Sequence, residues 1–535
     1  MLYYHQQFPV LDVDIEPIST LNACPLLFWC IVVTASRNLP LQQDLFRDLC
    51  KLLPSLLSEL MIQRTTSVHS IQALLILSMW PLPVQRQSED MRWIHSGIAM
   101  QMALQAGLHQ VGYEHEYRAF TGFRNHNDEQ KHTRIWRCWC FVNAMYGQIP
   151  IFLSIRLLNE NSLSCELGLP CLVPFDALEL KPTDEAALPA EFSSRLRIAL
   201  YISRINDALG HSVLKENGHE MRMIRLFEKD LNSLVIELRH SPTQWNDRVE
   251  FVYLGVILNL YSFYLRHSSS KSPDQPEYSI MKSSASRCAS KAVQIYANSS
   301  FSLAEEPSLG SCWQRYCPKF YFGVALSAVF MLLKISALNE LPTPELEDIN
   351  NTIKLGHNTL ISCSCTKGDE YQRAARVIEI LCKRGVLDSA QGKYPVESRL
   401  GASLSYELLV AAVRWRKQGG DQIHHNPNNL ASGGVTTATS DTRSIIADPT
   451  SSLINPYDWS NRFDFTQADL GLGSDSNWWG GQIFEVDILS FIRLLIHLWK
   501  VLIREKTMEP HIFDFSFAMQ DCAGAIPEPS DIELV

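Results

Sequence analysis

Along most of this chain, apolar residues recur at the three- and four-residue spacing of helices. The clearest case is the stretch from Val68 to His109, where two helical patterns are joined by a short polar link. In the first, Val68, Ile71, Leu74, Leu75 and Ser78 form one stripe, which predicts an amphipathic helix. Trp80-Pro81 ends it, because proline disfavours helical geometry in the residue before it and has no backbone N–H to donate. Pro83 breaks up the link Leu82–Gln87. Ser88 is the predicted N-cap of the second helix, with Glu89 and Asp90 in its first turn, where the helix dipole favours negative charge. That helix is predicted to run to about Ala106, and Gly107 stops it in a left-handed conformation. Ser96, Ala99, Met100, Ala103 and Gly107 share one side, a mostly small face that lets a neighbouring backbone come close.

The same period predicts helices over Leu45–Met61, Ser194–Gly210, Met221–Leu238, Val249–Arg266, Ser284–Tyr296, Phe320–Leu338, Leu346–Cys363, Tyr371–Lys383 and Ser403–Lys417. No strand-rich region and no repeat of fixed period interrupts them. The expected fold is all-α, a large multi-helix bundle of antiparallel helices over residues 1–418. From Gly419 to Gly481 the periodicity stops and Asn, Ser, Thr, Gly and Asp dominate, so 419–482 is expected to be a disordered segment. Within it Tyr457, Trp459, Phe463, Phe465 and Leu470 alternate with Asp458, Asp464 and Asp469. Acid keeps such aromatics solvated for a partner's groove, the pattern of an acidic activation segment; a plain flexible tail fits the composition as well. Residues 483–535 carry an amphipathic helix with Arg493, His497 and Lys500 on one face, then a C-terminal tail.

Charge and composition narrow the functional classes. The chain has 535 residues, 46% hydrophobic and 19% charged, which is ordinary globular composition. Its net charge of -10 is the opposite of the basic surplus that drives phosphate-backbone binding. Fourteen cysteines include no C-x-x-C pair, so no window gathers the thiolates a zinc cluster needs. They read as reduced, buried thiols of a protein without a secretory signal. Cys24–Ala35 is too short to cross a membrane, and Phe320–Leu333 has about fourteen uncharged residues, below the roughly 18–20 required.

The order of motifs says more than the period. Trp80-Pro81, Trp93, Gly97-Ile98-Ala99, Met102-Ala103-Leu104 and Ala106-Gly107-Leu108-His109 resemble the central motif of the fungal-specific transcription factor domain. That domain is the regulatory region of regulators whose DNA-binding part is a six-cysteine zinc binuclear cluster. Arg134-Ile135-Trp136 with Cys138-Trp139-Cys140 looks like the family's next helix. Phe8-Pro9-Val10-Leu11, and Pro25-Leu26-Leu27-Phe28 to Ala35-Ser36-Arg37, look like its opening. The resemblance extends over about residues 1–415. One departure stands out. The family's Gly-Arg-Pro-like tripeptide has its nearest match in Gly168-Leu169-Pro170, too far downstream, so about residues 146–161 are read as an insertion, either a real one or an intron left in the translated gene.

The resemblance implies a nuclear regulator of RNA polymerase II transcription that binds a small-molecule effector, co-regulators or the transcription machinery, and a homo- or heterodimer partner. DNA would be reached only through an N-terminal zinc cluster expected to be missing from this chain, so no cofactor is expected within it. Two rival readings remain. One is a truncated, DNA-blind module that titrates partners. The other is an enzyme on a helical bundle, which would need convergent acids or histidines. No G-x-S-x-G, H-E-x-x-H, G-x-G-x-x-G or phosphate loop is present, and His109, His115 and Glu116 are too loosely spaced for a metal. No catalytic, cofactor-binding or metal residue is therefore expected.

Overall fold

The computed structural model describes residues 2–417 apart from connecting stretches, the longest being 118–128, 147–186, 299–312 and 388–399, and it describes nothing of 418–535. Every described element lies in one compact unit, Met1–Phe465; a second, Thr466–Val535, falls outside the described residues. No strand occurs among the described residues, as the helical period predicts.

The first group of helices is α1 (Leu2–Gln7), α2 (Pro17–Ala23), α3 (Pro25–Ser36), α4 (Gln43–Cys50), α5 (Leu53–Gln63), α6 (Val68–Met79), α7 (Arg92–Gln105) and α8 (Glu129–Tyr146). Proline in the first turn starts α2 and α3, where its missing N–H costs nothing. The span Leu45–Met61 is two helices rather than one. Pro54 tolerates only a first-turn position, so the chain turns at Lys51-Leu52 and starts again as α5.

Helix α6 is the centre of this group. Ser67 caps it, accepting the Ser70 N–H at 3.0 Å. The sequence stripe predicts one buried face; in the structure every residue of α6 but His69 is buried. The reason is that α3, α7 and α8 enclose it, and a helix apolar all round belongs inside a core. Its buried Gln72 donates Nε2–H to the Val10 carbonyl at 2.7 Å, tying the entry segment to the core.

The second group is α9 (Ala190–Gly210), α10 (His219–Arg239), α11 (Asp247–Arg266), α12 (Pro276–Asn298), α13 (Lys319–Ala337), α14 (Thr343–Cys363), α15 (Glu370–Leu381) and α16 (Ser403–Lys417). Here α13 is central, packed by α11, α12, α14, α15 and α16. It is longer than the uncharged run Phe320–Leu333 suggests, because Lys334 stays inside the helix and pairs with Glu407 of α16 at 2.7 Å. By length and composition α13 is able to cross a membrane, yet 89% of its apolar window is buried in the bundle, the setting of a core helix.

Candidate functional site

Of the motif residues, Trp80 and Pro81 stand at the start of the link between α6 and α7, while Gly107, Leu108 and His109 stand at the far end of α7. Pro81 stops α6, which leaves the last carbonyls of that helix without intrahelical donors. Arg37, just past α3, closes that end: its Nη2 donates to the carbonyl of the C-cap residue Trp80 at 3.0 Å and to that of Pro81 beyond it at 2.6 Å. A cation there also complements the helix dipole. The Trp80 ring is 3% exposed. It meets Tyr4 edge-on, with centroids 5.2 Å apart, and Phe8 at 6.3 Å, and its Nε1–H donates to the Tyr316 carbonyl at 3.0 Å. Trp80-Pro81 is thus held from both helix groups.

At the far end of the link lies a buried ion cluster. Arg92 grips Asp90 with Nε at 2.8 Å and 2.9 Å and Nη2 at 2.5 Å. Lys319, the first residue of α13, stands 3.7 Å from Asp90 and 2.6 Å from Glu370 of α15. Burial alone would raise the Asp90 carboxyl, but Arg92 and Lys319 outweigh it and hold the group well below the usual carboxylate range. Burial together with Arg92 lowers the Lys319 ammonium, against the pull of Glu370 and Asp90. Arg373 of α15 adds a bond to the Val84 carbonyl at 3.4 Å.

The predicted N-cap is corrected here. The helix begins at Arg92 with Met91 as N-cap and no acidic residue in its first turn; Ser88 lies outside the described residues. Asp90 still serves the helix end, accepting the Arg92 N–H at 3.2 Å, but its carboxylate is fixed by the ion cluster rather than by the dipole.

Along α7 the small face is buried at Ser96, Ala99 and Ala103, and Trp139 of α8 donates Nε1–H to the Ser96 carbonyl at 3.0 Å. His95 is buried, and desolvation, only partly opposed by Asp90, lowers its pKa to about 4. The predicted stop is realised. Gly107 has φ +75°, its N–H donates to Leu104 and the Leu108 N–H to Ala103, both at 3.0 Å, which closes a Schellman turn over buried Leu108. A Cβ on Gly107 would overlap the Tyr117 ring. His109 packs between Tyr117, 5.5 Å away, and Trp136, 6.0 Å away, and Trp136 stacks on Trp139 at 4.8 Å. Arg134 and Lys131 both pair with Asp12, immediately after the opening Phe8–Leu11 run.

Not every motif residue joins this assembly. Trp93 is half-buried, and a Cβ added to Gly97 would meet nothing within 4 Å. Gly168 and Pro170, the 146–161 insertion but for Tyr146 at the end of α8, and Tyr457, Trp459, Phe463, Phe465 and Leu470 lie outside the described residues. One central residue escaped the sequence reading. Arg195 of α9 is fully buried, donates to the carbonyls of Gln7 at 2.8 Å and Gln6 at 2.9 Å, and lies over the Phe192 and Phe141 rings. Its place in Ser193-Ser194-Arg195-Leu196-Arg197 is on the apolar face of the helical period, which was the available signal.

Chemically, this is a docking assembly of stacked rings, capped helix ends and paired charges. No group of three or more His, Cys, Asp or Glu able to hold a metal occurs among the described residues. Burial pushes the thiols of Cys50 and Cys288 up to about 11 each, so they stay protonated at neutral pH and make poor nucleophiles or ligands. Away from the link, a small half-open cavity of about 30 Å³ lies between α11, α13 and α16, with Asn259, Ser327 and Gly401 in its wall.

A family model described as the fungal specific transcription factor domain matches residues 1–283, more than half of the chain. The chain is also similar to the transcriptional regulatory protein SEF1 of Candida albicans, 26% identical over 371 residues, 66% of this chain and 36% of that protein. With the regulatory protein LEU3 of Saccharomyces cerevisiae it shares 24% identity over 307 residues, 52% of this chain and 32% of that protein. With a putative transcription factor SEF1 of Eremothecium gossypii it shares 29% over 285 residues, 51% of this chain and 24% of that protein. The chain thus covers between 24% and 36% of the length of these relatives. No solved structure matches. The family match stops within α12, whereas Tyr316, Lys319 and Glu370, which complete the docking assembly, lie beyond it.

Proposed function

Because the chain belongs to the fungal specific transcription factor domain family, we propose that it is the effector-responsive regulatory region of a transcription factor acting on RNA polymerase II transcription in the nucleus. The observation that carries the reading is the link 81–91. Its described ends are held from both groups: Arg37 and Arg373 donate to the Pro81 and Val84 carbonyls, Lys319 faces Asp90, and the adjoining Trp80 donates to Tyr316, so a change in the packing of either group is felt by the other. A ligand that binds one arrangement of these helices better than another shifts the population toward it. The altered arrangement then governs how the aromatic and acidic segment around Tyr457–Leu470 meets co-regulators or the transcription machinery. DNA would be contacted through a zinc cluster outside this sequence, in keeping with its net charge of -10. No catalytic step is assigned to it.

The test joins the whole chain, and separately residues 419–535, to an unrelated DNA-binding domain upstream of a reporter. Reporter output that depends on 419–535 supports the reading. Output that is unchanged when that segment is deleted removes the activation role, and a fluorescent fusion excluded from the nucleus removes the nuclear one.

A further inference from the structure

We infer that the opening between α11, α13 and α16 is a binding site for a small molecule with an uncharged hydrogen-bonding head group and an aliphatic remainder. It is half open, with about 30 Å³ of room, enough for roughly two water-sized groups, and about 390 Å³ when the space out to solvent is counted. Two glycines in its wall let neighbouring side chains approach closely, one on α11 and one ahead of α16. A Cβ on Gly401 would run into the Asn259 amide, and one on Gly255 would come within 2.9 Å of the Val324 methyl Cγ2.

The wall divides into two kinds of surface. Leu258, Val324, Met331 and Leu404 give an apolar side, while Ser262, Ser327, Ser405 and Asn259 give a polar one. No Asp, Glu, Lys, Arg or His lines it among the described residues, and Lys334 of α13 and Glu407 of α16 pair with each other at 2.7 Å. An ionised head group would therefore lose its hydration with no counter-charge in return, whereas a neutral donor–acceptor group would not.

The polar side is also incompletely used. Ser262 donates to the Asn259 carbonyl at 2.6 Å, and Asn259 Nδ2 donates to Asn206 Oδ1 at 3.2 Å. Ser327 Oγ on the wall, and Asn206 Nδ2 behind Asn259, are buried with no hydrogen-bond partner among the described residues. A buried hydroxyl in that condition costs free energy that an incoming head group recovers. A primary carboxamide offers both a donor and an acceptor and matches this wall. The biological use of such a ligand rests on the regulatory reading above; its chemistry does not.

Butanamide and butanoate, equal in size and different in charge, separate the alternatives. In methyl NMR of the full chain, butanamide is expected to shift the methyls of Met331, Val324 and Leu404 with weak affinity. Butanoate should bind about tenfold more weakly or not at all. Ser327→Ala should weaken butanamide about fivefold or more by removing the unpaired hydroxyl, and Gly401→Ala should occlude the site. Should Gly401→Ala not fold, Ser327→Ala decides alone. Equal binding of the two probes, shifts confined to other methyls, or unchanged affinity in Ser327→Ala would overturn the assignment. A silent reporter beside intact butanamide binding would count against the regulatory reading and leave this one standing.

Discussion

The α6 group and the α13 group are built alike and finished differently. Each surrounds one helix that is buried on nearly all sides. Around α6 the closing contacts are polar and long-range: Arg37 on the Trp80 and Pro81 carbonyls, Gln72 on Val10, Trp139 on Ser96, Trp80 on Tyr316. Around α13 they are chiefly apolar, with close approach permitted by glycine, and an opening is left where the fit is incomplete. A fixed hydrogen bond demands one residue type at one position, while apolar burial accepts many. The first group therefore leaves a readable order of Trp, Pro, Gly and Arg in the sequence, and the second leaves only a period.

Substitutions sharpen this contrast, beginning with the largest effects. Trp80→Ala removes a buried ring and a hydrogen bond and is expected to cost about 3–5 kcal/mol in urea unfolding. Leu326→Ala at the centre of α13 should cost about 2–5 kcal/mol. The groups part at the next step, where Trp80→Phe still costs about 1–3 kcal/mol by orphaning the Tyr316 carbonyl and Leu326→Met costs under about 1.5 kcal/mol. Equal costs for the two conservative changes would end the distinction.

Arg92→Met leaves the Asp90 carboxylate buried against a single, more distant cation and should cost about 3–5 kcal/mol. Adding Asp90→Leu to that variant should restore most of the loss, as measured by a double-mutant cycle.

Acid should act first on the α6 group. His95 titrates at about 4 when folded against an ordinary value of 6.5. The unfolded chain binds more protons in that window, so stability falls as the pH drops from 6.5 toward 4, by about 3 kcal/mol. Asp90, whose folded pKa is depressed, contributes stability above its ordinary 3.8 that is lost as the pH falls below it. Burial also lowers His5, His69 and His109, so His95→Gln should reduce the first slope rather than abolish it and leave the second; an unaltered profile from pH 6.5 to 4 would count against the assignment.

The smallest effects divide the motif itself. Gly107→Ala forces an alanine to φ +75° and onto the Tyr117 ring, and should cost about 1–2 kcal/mol. Gly97→Ala meets open space inside a helix and should stabilise by about 0.5–1 kcal/mol. If Gly97→Ala lowers the melting temperature instead, Gly97 has a partner that this structure does not contain.

The sequence made the all-α class, most helices and the Gly107 turn legible because each depends on local period or on a residue with a singular backbone requirement. Burial of α6 on nearly every side was not legible, since a stripe is all that three neighbouring helices leave visible in one sequence. The break at Lys51-Leu52 is encoded by Pro54, but the leucine spacing runs across it and masks it. The ion cluster joining Asp90 and Arg92 to Lys319 and Glu370 spans partners hundreds of positions apart, which no local pattern encodes. The opening walled by Asn259, Ser327 and Gly401 was hidden for the same reason, its polar residues being scattered over three elements.

The hydrogen bond from Trp80 to the Tyr316 carbonyl joins residues 236 positions apart. At a ribosome adding about 5–20 residues per second, the indole waits roughly 10–50 s for its acceptor to be synthesised. Through that interval the nascent α6 group is unfinished on the side that α13 will cover. Aromatic surface left uncovered in this way is open to non-native contacts until the later helices arrive.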